Sequence, residues 1–196
     1  MITAAEVKKL REMTGAGMMD CKKALTETGG DTEKAVDLLR AKGAAKAAKR
    51  SEKSANEGTI GSYIHFDNKT AVIVEVNCET DFVANTDDFK ALAKDIAMHI
   101  ASTNPISISQ DEISEDVVER ERAVYMQQAR EEGKPEEIAV RIVEGRLQKF
   151  FKESTLLAQQ FVKDPDVTIE QLITEMSGTV GEKIEVARFA RMKIGG

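Results

Sequence analysis

Apolar residues recur at two different spacings along this chain, and the change of spacing divides it. From Thr3 the period is helical. Val7, Leu10 and Met13 share a face behind a T-x-x-E capping box formed by Thr3 and Glu6. "TGAG" at 14–17 breaks that helix. A second is expected from about Met18 to Thr28, stopping at Gly29-Gly30. Asp31 caps a third, which turns Ala35, Val36 and Leu39 inward and ends at Gly43. Residues 44–58, "AAKAAKRSEKSANEG", have no apolar stripe and read as a partly helical, solvated linker.

Near Gly58 the period becomes two. In "TIGSYIHF", Ile60, Ile64 and Phe66 share one parity, Tyr63 and His65 the other. Past the polar turn "DNK", Val72, Val74, Val76 and Cys78 line one face of a second strand, and the two strands read as an antiparallel hairpin. A helix follows with Phe89, Leu92, Ala93, Ile96 and Ile100 on one side, ending before Asn104-Pro105. Residues 114–152 predict two long helices joined at "GKP". Gly133 closes the first and Pro135 opens the second. Val118, Tyr125 and Ala129 face one way on the first; Ile138, Ile142, Val143, Leu147 and Phe150 stripe the second. An irregular stretch, a helix near 169–177 and a last strand, "KIEVARFARMKI", complete the chain. The fold class expected is α+β. Residues 1–54 form a three-helix domain with its linker. Residues 55–196 form an antiparallel-sheet core with packed helices, from which the helical hairpin 114–152 projects.

Charge sharpens the division. The net charge is −6, yet residues 1–50 hold 11 Lys and Arg against 7 Asp and Glu, leaving 17 against 27 in the remainder. An acidic body argues against direct nucleic-acid binding, which needs clustered cations. The basic start suits an acidic partner surface, or is simply a set of solvated helix faces. No apolar run nears the roughly 20 residues that span a bilayer, and the first residues lack the apolar stretch of a secretory signal. With only Cys21 and Cys78, no disulfide framework is expected, which points to a cytoplasmic protein.

Catalytic chemistry is hard to find. "GAGMMD" at 15–20 departs from a dinucleotide-binding glycine motif and follows a helix, so it reads as a helix–helix turn. His65 and His99 lie on different elements without metal-ligand spacing. Cys78 sits on a core face; Cys21 has Lys22 and Lys23 beside it but no base. Neither a metal nor a cofactor is implied. What remains is apolar and exposed. Met18 and Met19 project about 100° apart, so they either fill core gaps or form an adaptable interface. Phe82 follows Asp81 just past the strand "TAVIVEVNC". It either folds back on the sheet or stands out as an interface anchor.

Two stretches decide between these readings. "LREMTGAGMMDCKKAL" at 10–25 and "VNCETDFVAN" at 76–85 closely resemble the signatures of the bacterial elongation factor Ts family. The similarity continues through "GSYIH" at 61–65, "IAMHIA" at 96–101, "GKPEEIA" at 133–139, "EGRLQKF" at 144–150 and "QFV" at 160–162. The resemblance implies a guanine nucleotide exchange factor acting on the translational GTPase elongation factor Tu, with no bond chemistry of its own. It implies that the first three helices are a ubiquitin-associated-like domain that docks on the GTPase through Arg11, Met18, Met19 and Lys22. It implies that Asp81 and Phe82, flanked by Thr80 and Val83, are pushed between two helices of the GTPase near its magnesium site. His65 falls on a position used against the GTPase's third domain.

This chain departs from the family pattern where "GQPF" reads "AQQF", with Gln160 in place of proline. It also has one copy of a core that many members carry twice. A homodimer supplying the second copy is therefore expected, with Ile184, Val186 and Phe189 of the last strand as candidate interface residues. The rival reading is a helical adaptor whose N-terminal bundle binds peptides or ubiquitin-like partners.

Overall fold

The computed structural model describes residues 2–195. Its elements run α1 (Ala4–Thr14), α2 (Met18–Glu27), α3 (Thr32–Ala48), β1 (Glu57–Ile64), β2 (Thr70–Cys78), α4 (Asp81–Ala84), α5 (Asp87–Thr103), α6 (Glu115–Glu131), α7 (Glu136–Ser154), β3 (Gln160–Phe161), β4 (Asp164–Thr168), α8 (Ile169–Val180) and β5 (Glu185–Lys193). One sheet has the order β1-β2-β5, and β3 pairs with β4 in a two-stranded antiparallel ribbon. The fold class is α+β, as the change of period predicts. Among the described residues no helix is long and apolar enough to cross a membrane.

The chain divides into two compact units. The first comprises 1–60, 75–93 and 171–187; the second comprises 61–74, 94–170 and 188–196. In the first unit α1 begins as its capping box dictates. The Thr3 hydroxyl accepts from the Glu6 amide, and the Glu6 carboxylate accepts from the Thr3 amide. Those bonds to Thr3 hold the Glu6 carboxyl below its ordinary range. Val7, Leu10, Cys21, Ala24, Leu25 and Ala35 form the core of the three helices. Met13 does not join them. It is 58% exposed, one turn past the last position that the small core can cover.

Two further expectations fail here for one reason. Gly43 does not end α3, and residues 44–48 are helix rather than linker. Ala44, Ala45, Ala47 and Ala48 favour helix, and Gly43 serves as a contact surface instead. A Cβ on Gly178 of α8 would lie 2.7 Å from the Gly43 Cα. The missing side chains let the two helices touch backbone to backbone.

On β2, Val72, Val74, Val76 and Cys78 are buried, as the alternation predicts. Phe89, Leu92, Ala93, Ile96 and Ile100 of α5 are buried likewise. Ile184, just before β5, and Val186 on it are also core, which corrects their assignment as interface residues. Burial then passes to the other parity, and Phe189 and Arg191 are half-covered.

In the second unit α6 and α7 pack along each other around Val143, Leu147 and Phe151, with Val118, Tyr125 and Met126 against them. The predicted stripe on α7 holds at Val143 and Leu147 and is one residue out at each end, where Ala139 and Phe151 are buried in place of Ile138 and Phe150. Ala139, Val143, Leu147 and Phe151 are buried, whereas Ile138 is exposed. Ala139, Val143, Leu147 and Phe151 follow one another at four-residue steps and so share a single face, which Ile138 lies beside. Pro135 stands at the N-cap, one position earlier than expected. Residues 160–168 hold the β3-β4 ribbon, which no periodicity announces. Gln160 is exposed on it.

His99 is wholly buried in this unit. Its Nδ1 accepts from the Val162 amide at 3.3 Å, so the proton lies on Nε2, which donates to Gln159 Oε1 at 2.9 Å. Burial holds its pKa below the ordinary value of 6.5, only partly offset by the Gln159 bond. Above 6.5 the ring is neutral in folded and unfolded chains alike. Below it, the unfolded chain takes up a proton that the folded one refuses, so stability falls as pH drops.

Two predictions follow from these packings. The urea midpoint should fall between pH 7.5 and pH 5.5, with a flatter slope in His99→Gln. A pH-independent midpoint in the unaltered protein would contradict the buried neutral ring. Gly178→Ala should lower stability by about 1–3 kcal/mol through overpacking against α3. Gly145→Ala, on α7 with nothing within 4 Å, should raise it by about 0.5–1 kcal/mol. Chemical denaturation of the two variants checks the opposite signs.

Candidate functional site

The end of β2 builds the first part of the site. The buried side chains alternate up to Cys78, whose thiol donates to the Thr80 carbonyl at 3.1 Å. Burial, reinforced by the nearby Glu182 carboxylate, pushes that thiol's pKa up, so it stays protonated and unreactive. Thr80 is extended, with φ −131° and ψ 153°, and its hydroxyl accepts from the Val83 amide at 3.4 Å. It thus caps α4, a single helical turn. Ala84, buried at the far end, tucks that turn down, while Asp81 and Phe82 face outward. Phe82 is 83% exposed. It does not fold back on the sheet. Among the described residues no side chain partners the Asp81 carboxylate, and the Asn85 amide donates to the Asp81 carbonyl at 2.9 Å.

The turn is held from beneath by a carboxylate that sequence reasoning missed. Glu182, between α8 and β5, accepts from the Glu79 amide at 3.1 Å and the Thr80 amide at 3.0 Å through one oxygen. Its other oxygen accepts from the Thr80 hydroxyl at 2.6 Å. Glu79 answers in kind, accepting from the Lys183 amide at 2.7 Å. The Arg50 guanidinium, just past α3, donates to the Glu79 carboxylate at 3.0 Å. Glu182 lies 102 residues from Thr80 in sequence, so no spacing rule could reveal the pairing.

The other predicted residues divide into two places. Arg11 on α1 and Met18, Met19 and Lys22 on α2 are all exposed, Met18 to 43% and Met19 to 64%. Neither methionine fills the core. No carboxylate pairs with Arg11 or Lys22 among the described residues. Met13, read as core from its spacing, adds to the apolar surface of α1. His65 belongs to the second unit. Its Nδ1 shares a hydrogen bond with the Tyr63 hydroxyl at 3.1 Å, and its ring lies 4.3 Å from that of Phe66.

A groove of 520 Å³ in the first unit is lined by Met13, Asp20, Lys42, Lys46, Gly178 and others. Three of its cations are matched: Arg40 with Glu175, Lys42 with Glu27 and Lys46 with Asp20. Among the described residues no cluster of three His, Cys, Asp or Glu side chains could hold a metal ion.

Comparison with known proteins gives this arrangement a context. A sequence profile of the family described as "Elongation factor TS" matches residues 4–196. Elongation factor Ts of Syntrophobacter fumaroxidans is 58% identical over 194 residues, covering 99% of this chain and 97% of that protein. Elongation factor Ts of Desulfosudis oleivorans is 56% identical, covering 99% and 98%. Elongation factor Ts of Geobacter sulfurreducens is 54% identical, covering 99% and 90%. A profile match over nearly the whole length and identities above one half place the chain in the elongation factor Ts family.

Proposed function

We propose that this translation elongation factor promotes GDP release from elongation factor Tu by inserting Asp81 and Phe82 beside the GTPase's magnesium and nucleotide site. The observation that carries this reading is Phe82, 83% exposed at the end of a buried strand. Burying one Phe is worth roughly 1.5–3 kcal/mol, or about one to two decades in an equilibrium constant. When that burial is available only in the distorted, open GTPase, it is differential binding to the open state. No bond is made or broken, and no cofactor is required. The Asp81 carboxylate, unpartnered here, is placed to disturb the hydrogen bonds around the magnesium ion. Thr80 and Val83 hold the turn.

Residues 1–54 act as a ubiquitin-associated-like docking domain. Met18 and Met19 supply adaptable apolar contact, and Arg11 and Lys22 a charged rim that speeds encounter. His65 faces the GTPase's third domain, and the helical hairpin 114–152 projects from the core. The factor works in the cytoplasm as a homodimer and binds no nucleic acid directly. The dimer surface we favour is the solvent face of the sheet. In the second unit Ile64, Ile73 and Met192 are all exposed on strands, with Phe66 and Ile194 beside them. Several apolar side chains exposed on one short sheet suit an interface better than open water.

Two experiments test this. Phe82→Ala should leave the melting temperature within about 2–4 °C, because little packing is lost. It should slow release of labelled GDP from elongation factor Tu at saturating factor by about tenfold or more. A variant that exchanges at the normal rate would remove Phe82 from the site. Light scattering at micromolar concentration should give about twice the 21.5 kDa chain mass, and Ile73→Asp should halve it. A mass near that of one chain, unchanged on dilution, would rule out the dimer.

A further inference from the structure

We infer that Glu182 is a positioning residue for exchange, holding the turn under Phe82 without touching the GTPase; this rests on the reading of Phe82 as the inserted tip. The geometry is that of a carboxylate cradle. Two consecutive backbone amides and one hydroxyl converge on its two oxygens, at 3.1, 3.0 and 2.6 Å. The hydroxyl's proton goes to Glu182, which leaves its lone pairs for the Val83 amide. One side chain therefore fixes the last residues of the strand and also commits the cap of α4.

Glu182 is itself held. Its carbonyl accepts from the buried Ser177 hydroxyl at 2.6 Å, and Gly181 precedes it with φ +77°. Nothing else in the tip can replace it. Phe82 and Asp81 are in solvent, and Thr80 has a single hydroxyl. Hydrogen bonds to a charged group are the strong ones, and three of them lost together free the turn to sample other conformations. A mobile Phe82 still reaches the GTPase but occupies the productive geometry for only a fraction of the time.

The test is GDP release from elongation factor Tu with E182A, F82A and the double variant. E182A should slow the maximal rate by about five- to tenfold. Its half-saturating concentration should stay within about twofold, because docking lies elsewhere. The double variant should be no more than about twofold slower than F82A alone, since Glu182 acts through Phe82. E182Q, whose amide carbonyl still accepts both backbone N–H groups, should recover most of the rate. A slow F82A beside a normal E182A, or losses that multiply in the double variant, overturns the positioning role and leaves the tip reading intact. A normal F82A removes the tip reading and this inference with it. Should E182A melt too early to assay, Thr80→Val removes the hydroxyl that bonds Glu182 and caps α4, and leaves both backbone amides on the carboxylate. The same double-variant comparison then applies, and multiplied losses again overturn the role.

Discussion

A large apolar side chain standing in water gains nothing from its own burial, so whatever fixes it must act on the backbone beneath. That constraint shapes the end of β2. Val76 and Cys78 anchor the strand in the core, but their hold ends at residue 78. From there the chain turns on hydrogen bonds alone. Glu79 and Glu182 exchange roles across the gap: the carboxylate of each accepts from the main chain beside the other. Two acids at close quarters would repel if their oxygens met. Here they are kept apart by amides and by the Arg50 guanidinium, which supplies the nearest positive charge.

The cradle in turn depends on a helix crossing. Glu182 leaves α8 two residues past its end, and α8 lies against α3 where Gly178 meets Gly43. Arg50 follows the end of α3 by two residues. Both supports of the tip therefore issue from helices whose separation is set by the same pair of glycines. A side chain at Gly178, whose Cβ would lie 2.7 Å from the Gly43 Cα, would widen the crossing and move Glu182 and Arg50 apart. The route from Gly43 to Phe82 runs through packed backbone and charge-assisted hydrogen bonds within one unit. It contains no freely rotating link except Arg50, which is also the part most open to solvent.

How much of this was legible in the sequence depended on how local each cause was. Caps and alternation are local, and they located α1, β2 and α5 to within a residue or two. Thr3, Asp31 and Gly133 end or begin helices as their chemistry requires. Gly43 misled because a glycine can stop a helix or admit a neighbour, and only the neighbour decides. Met13 and Ile138 misled because spacing names a face but not how far the partner extends along it. Arg11, Met18, Met19, Asp81 and Phe82 were singled out through resemblance to a known family, and the structure leaves all five exposed. Their chemistry alone left Phe82 and the two methionines undecided, since an exposed and a buried apolar residue read alike. Glu182 was invisible, because its partners lie on the other side of 102 residues.

Exchange without bond chemistry sets its own demand on rigidity. A factor that loosens GDP by some factor is itself loosened by GDP to the same degree, whatever the contacts involved. Tight binding to both states of the GTPase would shift nothing. Only energy that differs between closed and open states counts. On the proposed reading, docking through Arg11, Met18, Met19 and Lys22 would supply affinity common to both states, and so deliver the factor without driving release. On that reading the differential part would fall to a few atoms at residues 81 and 82. A flexible tip would lose part of that small energy to its own ordering, at about 1–2 kcal/mol for each backbone residue fixed. That loss is as large as the gain from burying one phenyl ring. The tip must therefore be ordered before it meets its partner. The carboxylate cradle accomplishes this, spending the order at folding, when the rest of the unit is being fixed as well.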